Sequence, residues 1–191
     1  MARSPASATP PPRFVEALES IRRASFPPEV ELEEIPAPMR PAPFAVALEA
    51  RLPRDEESDA ASGSFVLLHE PEGHVVWDGD FRIVTVAKAE LEPEFALDPF
   101  VAAVAWTYLV EALDQESLPR AELAGTATRT VSESFGSIKS RGTTVGVEIR
   151  ASWTPEGAEI GAQLVAWLRF LAKLGGMELT PPGVTVLRGA R

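Results

Sequence analysis

Between Phe26 and Pro43 the chain carries Pro27, Pro28, Pro36, Pro38, Pro41 and Pro43. Each proline removes a backbone N–H and biases the residue before it toward an extended conformation, so no helix can cross this segment. The segment must be an extended crossover between whatever precedes and follows it. Val30, Leu32 and Ile35 are suited to hold it on a domain surface, while Glu29, Glu31, Glu33 and Glu34 are suited to face a basic partner. Met39 adds an adaptable apolar contact and Arg40 an exposed fork of donors. A chain already restricted by proline loses less entropy on binding. Glu29, Glu31, Glu33, Glu34, Met39 and Arg40 therefore form a candidate partner-binding strip. The alternative is a plain crossover whose charges serve solubility.

The elements on either side follow from periodicity. Phe14, Ala17, Leu18, Ile21 and Ala24 predict a helix over 13–24, opened by Pro12 and stopped by Phe26-Pro-Pro. Alternation at Phe44, Val46, Leu48 and Leu52 predicts a strand over 44–52. A short apolar strand is expected over 64–68, turn chemistry over 70–73, and a third strand over 74–89 with a bulge at Gly79. Asp98 and Pro99 open a helix reaching Asp114, apolar nearly all round and so expected to be buried on more than one side. Strands over 126–135 and 143–153 are joined as a hairpin by residues 136–142; the second should turn Val145, Val147, Ile149, Ala151 and Trp153 inward. A last helix over 156–174 ends at Gly175-Gly176. The fold class is α+β: a five-stranded antiparallel sheet with three helices, in the order α-β-β-β-α-β-β-α. Residues 1–12 are expected to be a disordered tail, 13–182 a single domain, and 183–191 a loose tail.

Composition narrows the chemistry. The net charge is −10 and the longest basic cluster is Arg22-Arg23, the reverse of a nucleic-acid footprint. No apolar run approaches the ~18 residues of a membrane span, and no secretory h-region opens the chain, so a cytoplasmic location is expected. Cysteine is absent, which removes disulfides, thiol nucleophiles and Cys-based metal sites. His69 and His74 sit one residue too far apart for the helical His-Glu-x-x-His zinc pattern. Pro71 and Gly73 between them suggest turn-flanking histidines. Two His across a hairpin could share a metal, but a third ligand is not evident, so no metal is assigned. Asp78 and Asp80 fall at the bulge and read as solvated carboxylates rather than an acid–base pair. No nucleophile elbow or phosphate-binding loop occurs. The reading assigns no catalytic residue and no cofactor.

Strand alternation produces one tension. Thr130, Ser132 and Ser134 share a hydroxyl-rich face, which places Arg129 and Glu133 on the other side with Val131 and Phe135. If that side is buried, the two charges need each other or Arg150. Arg129, Glu133 and Arg150 are thus a second candidate binding cluster.

The Pro-rich run, Ser132 to Gly136 (Ser-Glu-Ser-Phe-Gly) and Glu148 to Pro155 (Glu-Ile-Arg-Ala-Ser-Trp-Thr-Pro) together resemble an actinobacterial family catalogued as domain of unknown function 3000. The resemblance spans roughly Phe14 to Pro182 and implies no activity, cofactor or catalytic residue. The scarcity of Lys and absence of Asn suit the GC-rich codon usage of such a source. The element order also resembles the small acidic type III secretion chaperones and YbjN-like proteins, which are dimers. The expected function is a non-enzymatic protein-binding module, adaptor or chaperone-like. It would bind a protein partner and form a homodimer through the second helix, with no role for nucleic acid or membrane. The alternative is a small-molecule-binding or hydrolytic protein with a pocket between the second helix and the sheet.

Overall fold

The computed structural model describes residues 9–38, 42–55 and 58–179. These form three α-helices and a six-stranded antiparallel sheet. The elements are α1 (Pro12–Arg23), β1 (Glu31–Ile35), β2 (Phe44–Pro53), β3 (Asp59–His74), β4 (Gly79–Leu91), α2 (Val101–Gln115), β5 (Arg120–Glu133), β6 (Thr143–Pro155) and α3 (Ile160–Leu174). Short 3-10 turns at Pro93–Leu97 and Gly136–Arg141 precede α2 and β6. The spatial strand order is β1-β2-β3-β4-β6-β5, so β1 and β5 are the two edges.

Period-two alternation divides the sheet into an inner and an outer face. Val145, Val147, Ile149, Ala151 and Trp153 of β6 are all buried, as their spacing predicts, and pair with the inner residues of β4 from Ile83 to Leu91. Helices α2 and α3 pack on this face, and α1 packs against α3. The core centres on Phe65, Trp153 and Trp167, with Phe65 edge-on to Trp153 at 6.5 Å and tilted against Trp167 at 5.7 Å. The Trp153 indole N–H donates to Gln163 Oε1 at 2.9 Å, which satisfies a buried amide from α3. Helix α1 is seated by Phe14, stacked 5.8 Å from His69, and by Arg13, 3.1 Å from Asp80.

The sheet has six strands where the sequence predicts five. The additional strand, β1, lies inside the proline segment. Its residues fall between Pro28 and Pro36, where every N–H needed for a ladder is present, and they pair with β2 from Glu31↔Arg51 to Ile35↔Ala47. The expected turn at Glu70–Gly73 does not form. Strand β3 runs on to His74, with its register against β4 broken between His69 and His74, and the chain reverses at residues 75–78. Gly73 (φ 78°) and Asp78 (φ 56°) supply the left-handed residues that this longer excursion requires.

Helix α2 also departs from expectation. Asp98 accepts the Phe100 N–H at 2.8 Å, yet the helix begins only at Val101. It buries one face (Val101, Ala105, Leu109, Ala112 and Leu113) and leaves Val104 exposed. A helix on one side of a sheet has a single buried stripe, and the remaining apolar residues of α2 serve a different surface. At the N-terminus, Pro12 opens α1 and Pro11 caps it rather than belonging to a tail. Residues 1–8 and 183–191 lie outside the described residues.

Candidate functional site

The surplus apolar residues of α2 line a groove of about 630 Å³ between its N-terminal half, the end of β4 with the following 3-10 turn, and the segment just past α3. Three local features build it. Pro93 starts the 3-10 turn at Pro93–Leu97 and projects Phe95 and Leu97 outward, 44% and 91% exposed. Helix α2 presents Val104 and Tyr108 one turn apart along one wall. Gly175 and Gly176 end α3, and Gly176 (φ 67°) directs the chain so that Met177 closes the far side. The floor is apolar, from Val101, Ala105, Val147 and Leu174.

Charge is confined to the rim. Glu90, Glu92 and Asp98 stand against Arg54 and Lys173. The Lys173 ammonium is already engaged, 2.7 Å from Glu111 Oε2 and 4.1 Å over the Tyr108 ring, so the rim presents a net excess of carboxylate. Among the described residues lining the groove there is no Ser, Thr or His. The arrangement is suited to desolvating apolar groups beside a cation.

The proline strip reaches the same region from the other side. Pro53 and Arg54 line the groove and also a shallower depression with Glu31, Arg51 and Asp59. Val30, just before β1, is buried; on β1, Leu32 and Ile35 are half-buried, while Glu31, Glu33 and Glu34 are exposed. Glu33 lies directly opposite Glu49, an unfavourable pairing relieved by Arg51, whose guanidinium donates to Glu49 Oε2 at 2.7 Å. That hydrogen bond raises the Arg51 pKa. Glu29 is half-buried just before β1. Met39 and Arg40 lie outside the described residues.

The second candidate cluster is not brought together. Arg129 is opposite Val147 and Glu133 opposite Thr143, on the inner-face register, whereas Arg150 is opposite Thr126 on the outer face. Arg150 bonds Glu148 at 2.6 Å, and this bond holds the Glu148 carboxyl below its ordinary value. Neither Arg129 nor Glu133 is buried, because β5 is an edge strand there; Arg129 donates to the Asp98 carbonyl instead.

His69 is 1% exposed, stacked 4.4 Å from Phe81, with Nδ1 3.0 Å from the Asp80 carbonyl. His74 stacks on Trp77 at 4.3 Å. Among the described residues no group of three or more His, Asp or Glu is placed to hold a metal ion.

Fold and site define an α+β protein whose helices, among the described residues, lie on one face of the sheet, with an acidic-rimmed apolar groove. The chain belongs to the family described as protein of unknown function DUF3000, whose model matches residues 10–185. No curated protein and no solved structure matches it. The added strand β1 also departs from the element order that suggested a secretion-chaperone likeness.

Proposed function

We propose that the protein is a non-enzymatic protein-binding module, and that it takes into its groove a segment carrying apolar side chains flanked by Lys or Arg. The observation that carries this is the pairing of an apolar floor with a carboxylate-rich rim, beside Phe95, Leu97 and the 68%-exposed Phe100. Exposed apolar residues grouped in this way mark interaction surfaces. The acidic rim and the Glu31–Glu34 strip would steer a basic partner and set its orientation. Peptide display against the whole protein tests the reading. Enriched peptides should combine apolar anchors with basic residues and shift the amides of residues 91–108. Val104→Glu should weaken them by about tenfold or more, and the fold should persist because Val104 is exposed. Peptides that bind elsewhere, or that ignore Val104→Glu, would remove the proposal.

A second reading is favoured by the groove's volume alone. About 630 Å³ falls within the roughly 300–1,000 Å³ range of small-molecule sites. An apolar small ligand that raises the melting temperature of the wild type but not of Val104→Glu would support that reading over the first.

A further inference from the structure

The two edges of the sheet are built differently. Strand β1 is five residues long, lies between prolines and exposes Glu31, Glu33 and Glu34. Short length, flanking proline and like charge are the devices that stop an edge from pairing with another chain. Strand β5 is fourteen residues long, and its only such devices, Pro119 just before it and a bulge between Ala121 and Ala124, lie at its first end. From Thr126 to Glu133 it is regular, free of proline and lysine, and exposed at every position except Ala127.

Its sequence is also self-complementary. Two copies of β5 laid antiparallel about a two-fold axis at Val131 set Arg129 opposite Glu133 of the second copy, twice by symmetry. Thr130 meets Ser132 and Val131 meets itself, and Ser134, just past the end of β5, falls opposite Thr128. Opposite charges and hydroxyl pairs are the favourable cross-strand neighbours of an antiparallel ladder. Shifting the register by one residue would turn the inner side chains of one strand to the outer face of the other. Arg129 uses one donor for the Asp98 carbonyl and keeps others for a carboxylate. That contact also brings the start of α2 beside the edge, so the exposed Phe100, Val131 (41% exposed) and Phe135 lie along the same border.

We infer that β5 is an interaction surface for a second copy of this chain, joined antiparallel about Val131 into one continuous twelve-stranded sheet (six strands from each copy). The inference is independent of the groove reading. It explains why an Arg and a Glu stand on the helix-side register of an uncovered strand: each is the other's partner across the two-fold.

The test is the association of full-length protein by sedimentation equilibrium, with charge swaps. Wild type should be dimeric at tens of micromolar. Glu133→Arg and Arg129→Glu should each weaken the dimer by about tenfold or more, since each replaces two attractions by two repulsions. The double variant should recover wild-type association. An equimolar mixture of the two single variants should form a heterodimer, because one variant then presents two arginines along the border and the other two glutamates, which makes both cross-strand contacts attractive. A monomeric wild type, or a dimer indifferent to both single variants, would overturn the inference. So would a failure of the mixture to associate.

Discussion

Replacing Trp167 by alanine is expected to cost about 3–5 kcal/mol of folding stability, the usual range for truncating a buried aromatic side chain. Trp167 is fully buried, contacts Phe65 and lies against Gly63, where an added Cβ would sit 3.0 Å from the indole. Against a total stability of about 5–15 kcal/mol for a domain, a single loss of this size brings the protein near its unfolding threshold. A matched pair of phenylalanine variants separates packing from hydrogen bonding. Trp153 and Trp167 are both fully buried, but only Trp153 donates its N–H, to Gln163; the Trp167 Nε1 has no partner among the described residues. Trp153→Phe loses the larger ring and also leaves the Gln163 oxygen without its donor. Trp167→Phe loses the same volume but removes an unsatisfied buried donor. An orphaned polar group costs about 1–3 kcal/mol, so Trp153→Phe should be less stable than Trp167→Phe by about 1–2 kcal/mol. Urea denaturation followed by circular dichroism measures the difference. Equal losses, or the reverse order, would show that the Trp153–Gln163 bond contributes nothing beyond packing.

Trp153 is legible as core from the alternation of its strand, and Trp167 from the helical spacing of Ile160, Leu164, Trp167, Leu168 and Leu171. The same holds for most of β6 and α3. Strand β1 was not legible, for a physical reason. Leu32 and Ile35 lie on opposite faces of the sheet, Leu32 opposite Ala50 and Ile35 opposite Ala47. A five-residue edge strand with one apolar side chain per face carries no alternation to read. Its flanking prolines resemble a linker, although they are also what confines an edge strand.

The groove left only an indirect trace. Its walls come from Pro53, Leu91 to Asp98, α2 and Gly175 to Met177, segments far apart in the chain, and no local pattern joins them. The trace was the surplus of apolar residues on α2. Within one chain that surplus is not buried: Val104 and Tyr108 face an open groove. Arg129 and Glu133 followed the same course. Alternation placed them beside Val131 correctly. The burial that made them look costly was never there, because which strand forms the edge depends on the whole sheet order.

Gly161→Ala should lower stability by about 1–3 kcal/mol and should loosen α1 first, an overpacking cost and a lost cap partly offset by the better helix propensity of alanine. By propensity alone the change favours α3, since alanine in a helix is better than glycine by about 1 kcal/mol. The contact with α1 decides otherwise. A Cβ at position 161 would stand 2.3 Å from the Ser20 carbonyl oxygen and 2.9 Å from its carbon. These are backbone atoms of α1 and cannot rotate aside, so the helix itself must retreat. Overpacking of this kind costs about 1–3 kcal/mol. The retreat also pulls Ser20 Oγ from the Gly161 N–H, which it accepts at 3.0 Å, and so strips the start of α3 of a cap that its own Glu159 does not supply. A lost cap adds about 1 kcal/mol. Ser20→Ala removes the cap without the steric conflict and should cost only that last increment. Because α1 reaches the sheet through Phe14 on His69 and Arg13 on Asp80, its displacement should expose the His69 ring while leaving the β3–β4–β6 ladder intact. Hydrogen exchange should therefore show lost protection over residues 13–23, with the central strands unchanged in Gly161→Ala. A variant within about 0.5 kcal/mol of wild type, the ordinary scatter of a surface substitution, with α1 still protected, would mean that the close approach at Gly161 is not what seats the first helix.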